Sequence, residues 1–261
     1  MLRSLARVAV FVAGALALAP AATAQIATYS WMPPAKVQEA MEKENAPAIF
    51  YFEIPNDAAS TSIGWNFNQP PVVDALTKLR FAACRIAVTD QKSTRPWGAY
   101  QKIADEFGVT PTTTLVIASY DRKVLALITS MVKRDEFIGF LKQKAGENAA
   151  RLKAAEEMNT ELTQVEKWIE DKKIVDANRR MTVLQKKEKQ VPAKSFERFK
   201  EVDGKLETAC KARLTEGKAL LDGGKASDSK PIFEEVVNGG SRFECAKEAK
   251  ECLKKAKAAK S

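Results

Sequence analysis

Phe107-Gly108-Val109-Thr110-Pro111-Thr112-Thr113-Thr114-Leu115-Val116-Ile117 is the stretch whose reading decides the fold. It closes a helical pattern (Tyr100, Ile103, Ala104, Phe107), turns at Gly108 and enters a β-branched apolar run through Thr110-Pro111. Proline has no N–H to give to a sheet ladder, so it belongs at the first position of the strand it precedes. The residue before it is driven into extended backbone, and such an x-Pro bond is where a cis peptide costs little.

Working outward, Ala35–Glu44 reads as a short helix and Ala48–Phe52 as a continuous apolar strand covered on both faces. Thr61–Pro71 reads as a loop stopped by Pro70-Pro71, followed by a helix over Val72–Leu79 and a strand over Phe81–Val88. Trp97–Phe107 is a helix. Leu115–Ser119 and Lys123–Ser130 are strands joined at Tyr120-Asp121-Arg122, and Arg134–Lys144 is a closing helix. Helices alternating with strands and ending in a hairpin give a mixed α/β sheet.

From Gly146 the strand signals stop. Helical patterns cover Ala149–Asp171, Lys173–Gln190, Phe196–Asp222, Ala226–Val237 and Phe243–Ala258, broken by Pro192, Gly223-Gly224 and Gly239-Gly240. Shifted by 52 residues, Lys173, Asp176, Met181 and Leu184 fall against Lys225, Asp228, Phe233 and Val236. The expected organisation is an α/β domain over 25–145 and an all-α helical-hairpin domain over 146–261, with residues 1–24 as a signal peptide.

That leader is read from Arg3 and Arg7, the apolar run Val8–Ala19 and the small-x-small site Ala22-Thr23-Ala24. The run is short for a bilayer span. Removing the leader takes away two arginines and no acidic residue, so the formal charge falls from +9 to +7. The expected location is periplasmic or secreted, with no transmembrane segment in the mature chain. In an exported protein this mild basic excess does not point to nucleic acid.

The chain has no histidine. This excludes Ser-His-Asp and Cys-His nucleophile systems and histidine metal ligands. Of its four cysteines, Cys84 lies mid-strand, grouped by alternation with Ala82, Ile86 and Val88, and reads as a buried core thiol. Cys245 and Cys252 are separated by two helical turns, too far to bridge each other. Cys210 can bridge to either across packed helices. Cys245 is favoured, because alternate helices of a hairpin array run parallel and both residues are read near helix starts. Neither a metal site nor a cofactor is expected.

The helix, Gly108-Val109, x-Pro111-Thr112 and apolar strand resemble the cis-proline segment of the thioredoxin family, and the resemblance spans about Val37–Lys144. It implies a thioredoxin-like fold with Pro111 as its cis-proline. That family's Cys-x-x-Cys is missing; its two positions fall near Asn56 and Ala59. The resemblance also implies that backbone at Thr110 pairs with an extended peptide, with Trp65 and Trp97 as aromatic walls. The stretch from Gly217 to Phe233 resembles the middle of a tetratricopeptide repeat, a partner-binding architecture, although the 52-residue offset exceeds that repeat's usual length of about 34 and a generic helical bundle explains the same pattern equally well. Two functions follow. The first is a non-catalytic protein- or peptide-binding or scaffold module of the cell envelope. The alternative is a divergent thiol–disulfide oxidoreductase or isomerase using a single cysteine.

Overall fold

The structure is a computed structural model, and it describes residues 29–87, 101–109 and 112–259. Its first half follows the order α1 (Pro34–Glu44), β1 (Ala48–Glu53), α2 (Ala58–Asn66), α3 (Pro70–Lys78), β2 (Ala82–Ala87), α4 (Gln101–Glu106), β3 (Thr114–Ala118) and β4 (Val124–Ile128). The sheet order is β2-β1-β3-β4. Strands β1 and β2 run parallel, with Phe50 opposite Cys84. Strand β3 is antiparallel to both neighbours.

The continuous apolar run of β1 exists because both sheet faces are covered. Ala48, Phe50 and Phe52 pack with Val37, Met41, Cys84 and Phe107 on the face of α1 and α4. Ile49 and Tyr51 face the other way, onto Ile63, Phe67, Leu76 and Phe137. The residues before α1 join this second layer. Trp31 stacks on Tyr51 with ring centroids 5.9 Å apart, and the Met32 N–H donates to Ala83 O at 2.9 Å, covering part of the β2 edge.

One expectation is corrected here. The segment read as a loop from Thr61 to Pro71 is mostly helix α2, and Pro70-Pro71 opens α3 instead of ending anything. Proline suits the first helical positions, where its missing N–H would be unpaired anyway. The Ser-Thr-Ser-Ile-Gly composition has weak helix propensity. Helix α2 is held by its cap and by burial of Ser60, Ile63 and Asn66.

The second half is helical: α5 (Arg134–Glu170), α6 (Ile174–Gln185), a 3₁₀ turn (Glu188–Gln190), α7 (Ala193–Asp222), α8 (Ala226–Gly239) and α9 (Glu244–Ala258). Helix α5 is unbroken through Gly146, where two separate helices were expected. Its 37 residues reach about 55 Å. Phe137 and Leu141 pack under the sheet, whereas Met158, Leu162 and Val165 pack in the helical core.

Between these two stretches α5 fastens to the α/β half through polar groups. Asn148 accepts from Tyr120 N–H at 2.7 Å and donates to Asn45 O at 3.1 Å. Arg151 forks onto Asp121, whose carboxylate also accepts from Ser119 Oγ at 2.6 Å. Both charged side chains are largely buried, at 13% and 12% exposure. Burial pushes the Asp121 carboxyl up, but the bonds from Arg151 and Ser119 outweigh it and hold the group below its ordinary value. Asp121→Asn is therefore expected to cost about 2–3 kcal/mol at neutral pH, since it strands Arg151. The contribution is complete above the unfolded pKa, near 4, and is lost as pH falls through the lower folded value. Urea unfolding of wild type and variant from pH 7 down to pH 3 checks this: the gap between them should close at the acid end.

The offset of 52 residues is a structural period. Lys172 and Gly224 both take left-handed backbone, with φ of 61° and 79°. Lys173 N–H donates back to Trp168 O at 2.7 Å, and Lys225 N–H to Leu220 O at 2.8 Å. The α5–α6 and α7–α8 hairpins thus turn by the same device, a left-handed residue that closes the last turn of the helix before it.

Candidate functional site

The chain leaves β1 at Glu53, passes Pro55, and turns at Asn56 with φ 63°. Asp57 is the N-cap of α2, its carboxylate accepting Ser60 N–H at 2.8 Å. The hydroxyl of Ser60 points back toward the sheet. Its Oγ accepts Ile54 N–H at 2.8 Å and lies 2.5 Å from Thr113 Oγ1. Thr113 Oγ1 donates to Asp57 Oδ2 at 2.8 Å. A threonine hydroxyl has one proton, so the Ser60 hydroxyl must be the donor to Thr113. The order is fixed: Ile54 N–H to Ser60, Ser60 to Thr113, Thr113 to the Asp57 carboxylate.

This network closes on itself. Ser60 is 2% exposed and Thr113 is 5% exposed. The Ser60 N–H, then the Thr113 hydroxyl, hold the Asp57 carboxyl below its ordinary value. Beneath it, Tyr51 donates its hydroxyl to Ser60 O at 2.6 Å, and burial pushes that phenol up to about 12. The network ties the start of α2 to the approach of β3. Ser60 is a poor nucleophile: its proton goes to a hydroxyl that has already committed its own, and water does not reach it.

Asn56 is exposed in the turn and Ala59 is half-buried in the first turn of α2. The polar groups at this helix start are Asp57 and Ser60, each one residue further on; the Asp57 carboxylate accepts the Ser60 N–H, and the two side chains are joined through Thr113. Sequence reasoning passed over them, and over Thr113, because short polar residues beside a turn look like ordinary turn chemistry. The spacing Asp57-x-x-Ser60 before a helix was the available signal.

Trp65 lies about 12 Å along α2 from Asp57 and is 66% exposed. Asn66 Nδ2 donates to Val132 O at 3.0 Å, which brings the chain at Met131, 73% exposed, to the same end of the helix. Thr110, Pro111 and Trp97 lie outside the described residues, as does the expected leader. Cys84 is fully buried on the opposite sheet face, among α1 and α4 residues, and burial pushes its thiol up to about 12. It is remote in layer from the start of α2.

Cys210, Cys245 and Cys252 are buried in the helical core. Cys210 is in the middle of α7, which begins at Ala193, and not near a helix start as expected; Cys245 is in the first turn of α9. Among the described residues no group of cysteine and acidic side chains is placed to hold a metal. No described helix is long and apolar enough to cross a membrane. A cleft of about 820 Å³ separates the two halves, lined by Met41, Glu42, Tyr120, Glu156, Ser195 and Arg198 among others.

Three solved structures of thioredoxin type resemble this chain. A thioredoxin from Thermus thermophilus is 18% identical, covering 48% of this chain and 92% of its own, with a TM-score of 0.38. A DsbH oxidoreductase is 14% identical over 46% and 86%, with a TM-score of 0.37. The oxidised C-terminal domain of DsbD from Neisseria meningitidis is 19% identical over 45% and 99%, at 0.34. The α/β half has a thioredoxin-like fold. That statement rests on the strand order and pairing of this chain, since likeness at these scores is too loose to carry more. No protein-family profile matches the sequence, and no curated protein does.

Proposed function

We propose that this is an exported, non-catalytic thioredoxin-fold protein of the cell envelope that binds an extended peptide segment of another protein. The carrying observation is the closed Asp57–Ser60–Thr113 network at the start of α2. Thioredoxin-type chemistry needs a low-pKa thiolate at a helix N-terminus and a second thiol to resolve the mixed disulfide. Here that place is held by a carboxylate and two hydroxyls with every donor spent. A single-cysteine mechanism finds no support either, because Cys84 is buried on the other face with its thiol raised to about 12.

In this reading, residues 25–145 are the recognition unit, with backbone at Thr110-Pro111 pairing with the peptide and Trp65 and Trp97 as aromatic walls. Residues 146–261 are a second, tetratricopeptide-like interface, a reading supported by the repeated hairpin geometry. The long α5 serves both units.

The test has two parts. In dithiothreitol-driven reduction of insulin, the full chain should give no rate above background. Panning a displayed library of extended peptides on the full chain should select binders. Trp65→Ala should weaken them about tenfold or more, as for an aromatic anchor, and Cys84→Ala should leave them unchanged. Insulin reduction that disappears in Cys84→Ala would overturn the proposal in favour of the oxidoreductase.

A further inference from the structure

We infer that the helical half carries a covalent cross-link site: Cys210 of α7 and Cys245 of α9 form a disulfide that pins the last helix to the array, while Cys84 and Cys252 stay thiols. The argument begins with Gly240, in the turn between α8 and α9. A Cβ built there would lie 3.2 Å from Cys245 Sγ and 3.3 Å from Cys210 Sγ. Both sulfurs therefore pack against the same bare Cα, from two helices brought together by the α8–α9 turn. Each thiol also lies within electrostatic reach of the other.

The pairing is selective by position. Cys252 lies two turns further along α9, about 10 Å from Cys245, and a disulfide needs Cβ atoms about 4 Å apart. Cys84 is in the sheet, in a different core. The chemistry is thiol–disulfide exchange. Burial raises both thiols, Cys210 to about 12, and it is the Cys245 thiolate, in the first turn of α9, that attacks one sulfur of a small-molecule disulfide. That disulfide breaks and releases one thiolate. Deprotonated Cys210 then attacks the mixed disulfide at Cys245 and releases the second thiolate. The two cysteines lose two protons and two electrons, and the oxidant becomes two thiols. Inside the cell the step depends on the export proposed above, because reducing compartments would undo it. In vitro the oxidant is supplied, so the bond can be tested whether or not the chain binds peptide.

The cross-link has a structural use. Helix α9 follows α8 through the Gly240 turn. Joining it to the centre of α7 fixes its position against the array by a second, covalent tie.

The full chain is refolded with oxidised and reduced glutathione, then alkylated, digested and mapped without reduction. A linked peptide pair containing Cys210 and Cys245 is expected, with Cys84 and Cys252 alkylated only after denaturation. The oxidised protein should melt roughly 10 °C above the reduced one. Cys245→Ser should abolish that difference and Cys252→Ser should keep it. Recovery of Cys210 and Cys245 as free thiols, or of either joined to Cys252, would overturn the inference. So would a melting difference that survives in Cys245→Ser.

Discussion

The double substitution Asp57→Cys/Ser60→Cys is expected to give a chain that reduces insulin in the dithiothreitol assay faster than the parent, with neither single substitution doing so. The reasoning runs from the helix start. Asp57 occupies the N-cap of α2 with extended backbone, φ −86° and ψ 136°, and its side chain already accepts the N–H of Ser60. A thiolate there would accept the same N–H and lie on the positive end of the helix, which pulls a cysteine below its ordinary pKa near 8.5. A cysteine three residues on lies on the same helix face, with Cβ atoms about 5–6 Å apart, so forming the disulfide requires it to turn from Thr113 toward position 57 and the first turn to tighten. The substitutions remove the Asp57 cap and the Ser60 partner of Thr113, so a loss of about 1–3 kcal/mol accompanies the gain. Thiol counting before and after reduction separates the outcomes. A double variant that folds, forms the disulfide and still reduces nothing would mean that α2 lacks the access such chemistry needs. One that folds and forms no disulfide would mean that the two side chains do not turn toward each other once their shared partner Thr113 is released.

That site was only partly legible in the sequence, for a physical reason. The strand Ala48–Phe52 declared itself because burial on both faces demands an unbroken apolar run, and β4 followed from a second apolar run after the turn residues Tyr120-Asp121-Arg122. Helix α2 did not, because no periodic apolar face marks it; its stability comes from the Asp57 cap and from partners distant in sequence, such as Val132 and Thr113. The Ser60–Thr113 contact joins residues 53 apart, and nothing local in either segment announces it. Gly146 looked like a boundary, yet an isolated glycine costs a helix only about 1 kcal/mol, and α5 is held on both sides of it by Phe137, Leu141, Met158 and Leu162. The cysteine pair shows the opposite case. Sequence arithmetic nominated Cys210 and Cys245 while misplacing Cys210 at a helix start; the helix read from Phe196 already put it mid-helix, and α7 begins three residues earlier still.

Truncating Phe233 to alanine is expected to be among the most damaging single changes in the helical half, costing about 3–5 kcal/mol in urea unfolding followed by circular dichroism. Phe233 has no exposed surface, and its ring is seated where α8 crosses α7 at Gly217. A Cβ at Gly217 would be 2.7 Å from Phe233 Cε1, so the ring fits only because that position has no side chain. The period of 52 residues places Val165 and Met181 at the same two positions of the first hairpin, and both are fully buried. One hairpin thus fills the crossing with a medium residue on each helix, and the other with a large residue facing none. The division of side-chain volume between the two helices differs from one hairpin to the other, a change that packed cores can accommodate. Gly217→Val should therefore destabilise by more than the 1–3 kcal/mol usual for overpacking, because the clash is with a ring and not a flexible chain end. Adding Phe233→Met, which transplants the Val165–Met181 solution, should recover at least half of the loss, a coupling of about 1–2 kcal/mol between touching sites. If the double variant is no more stable than Gly217→Val alone, the two hairpins share a turn but not a packing scheme. The repeat would then be one of backbone geometry only.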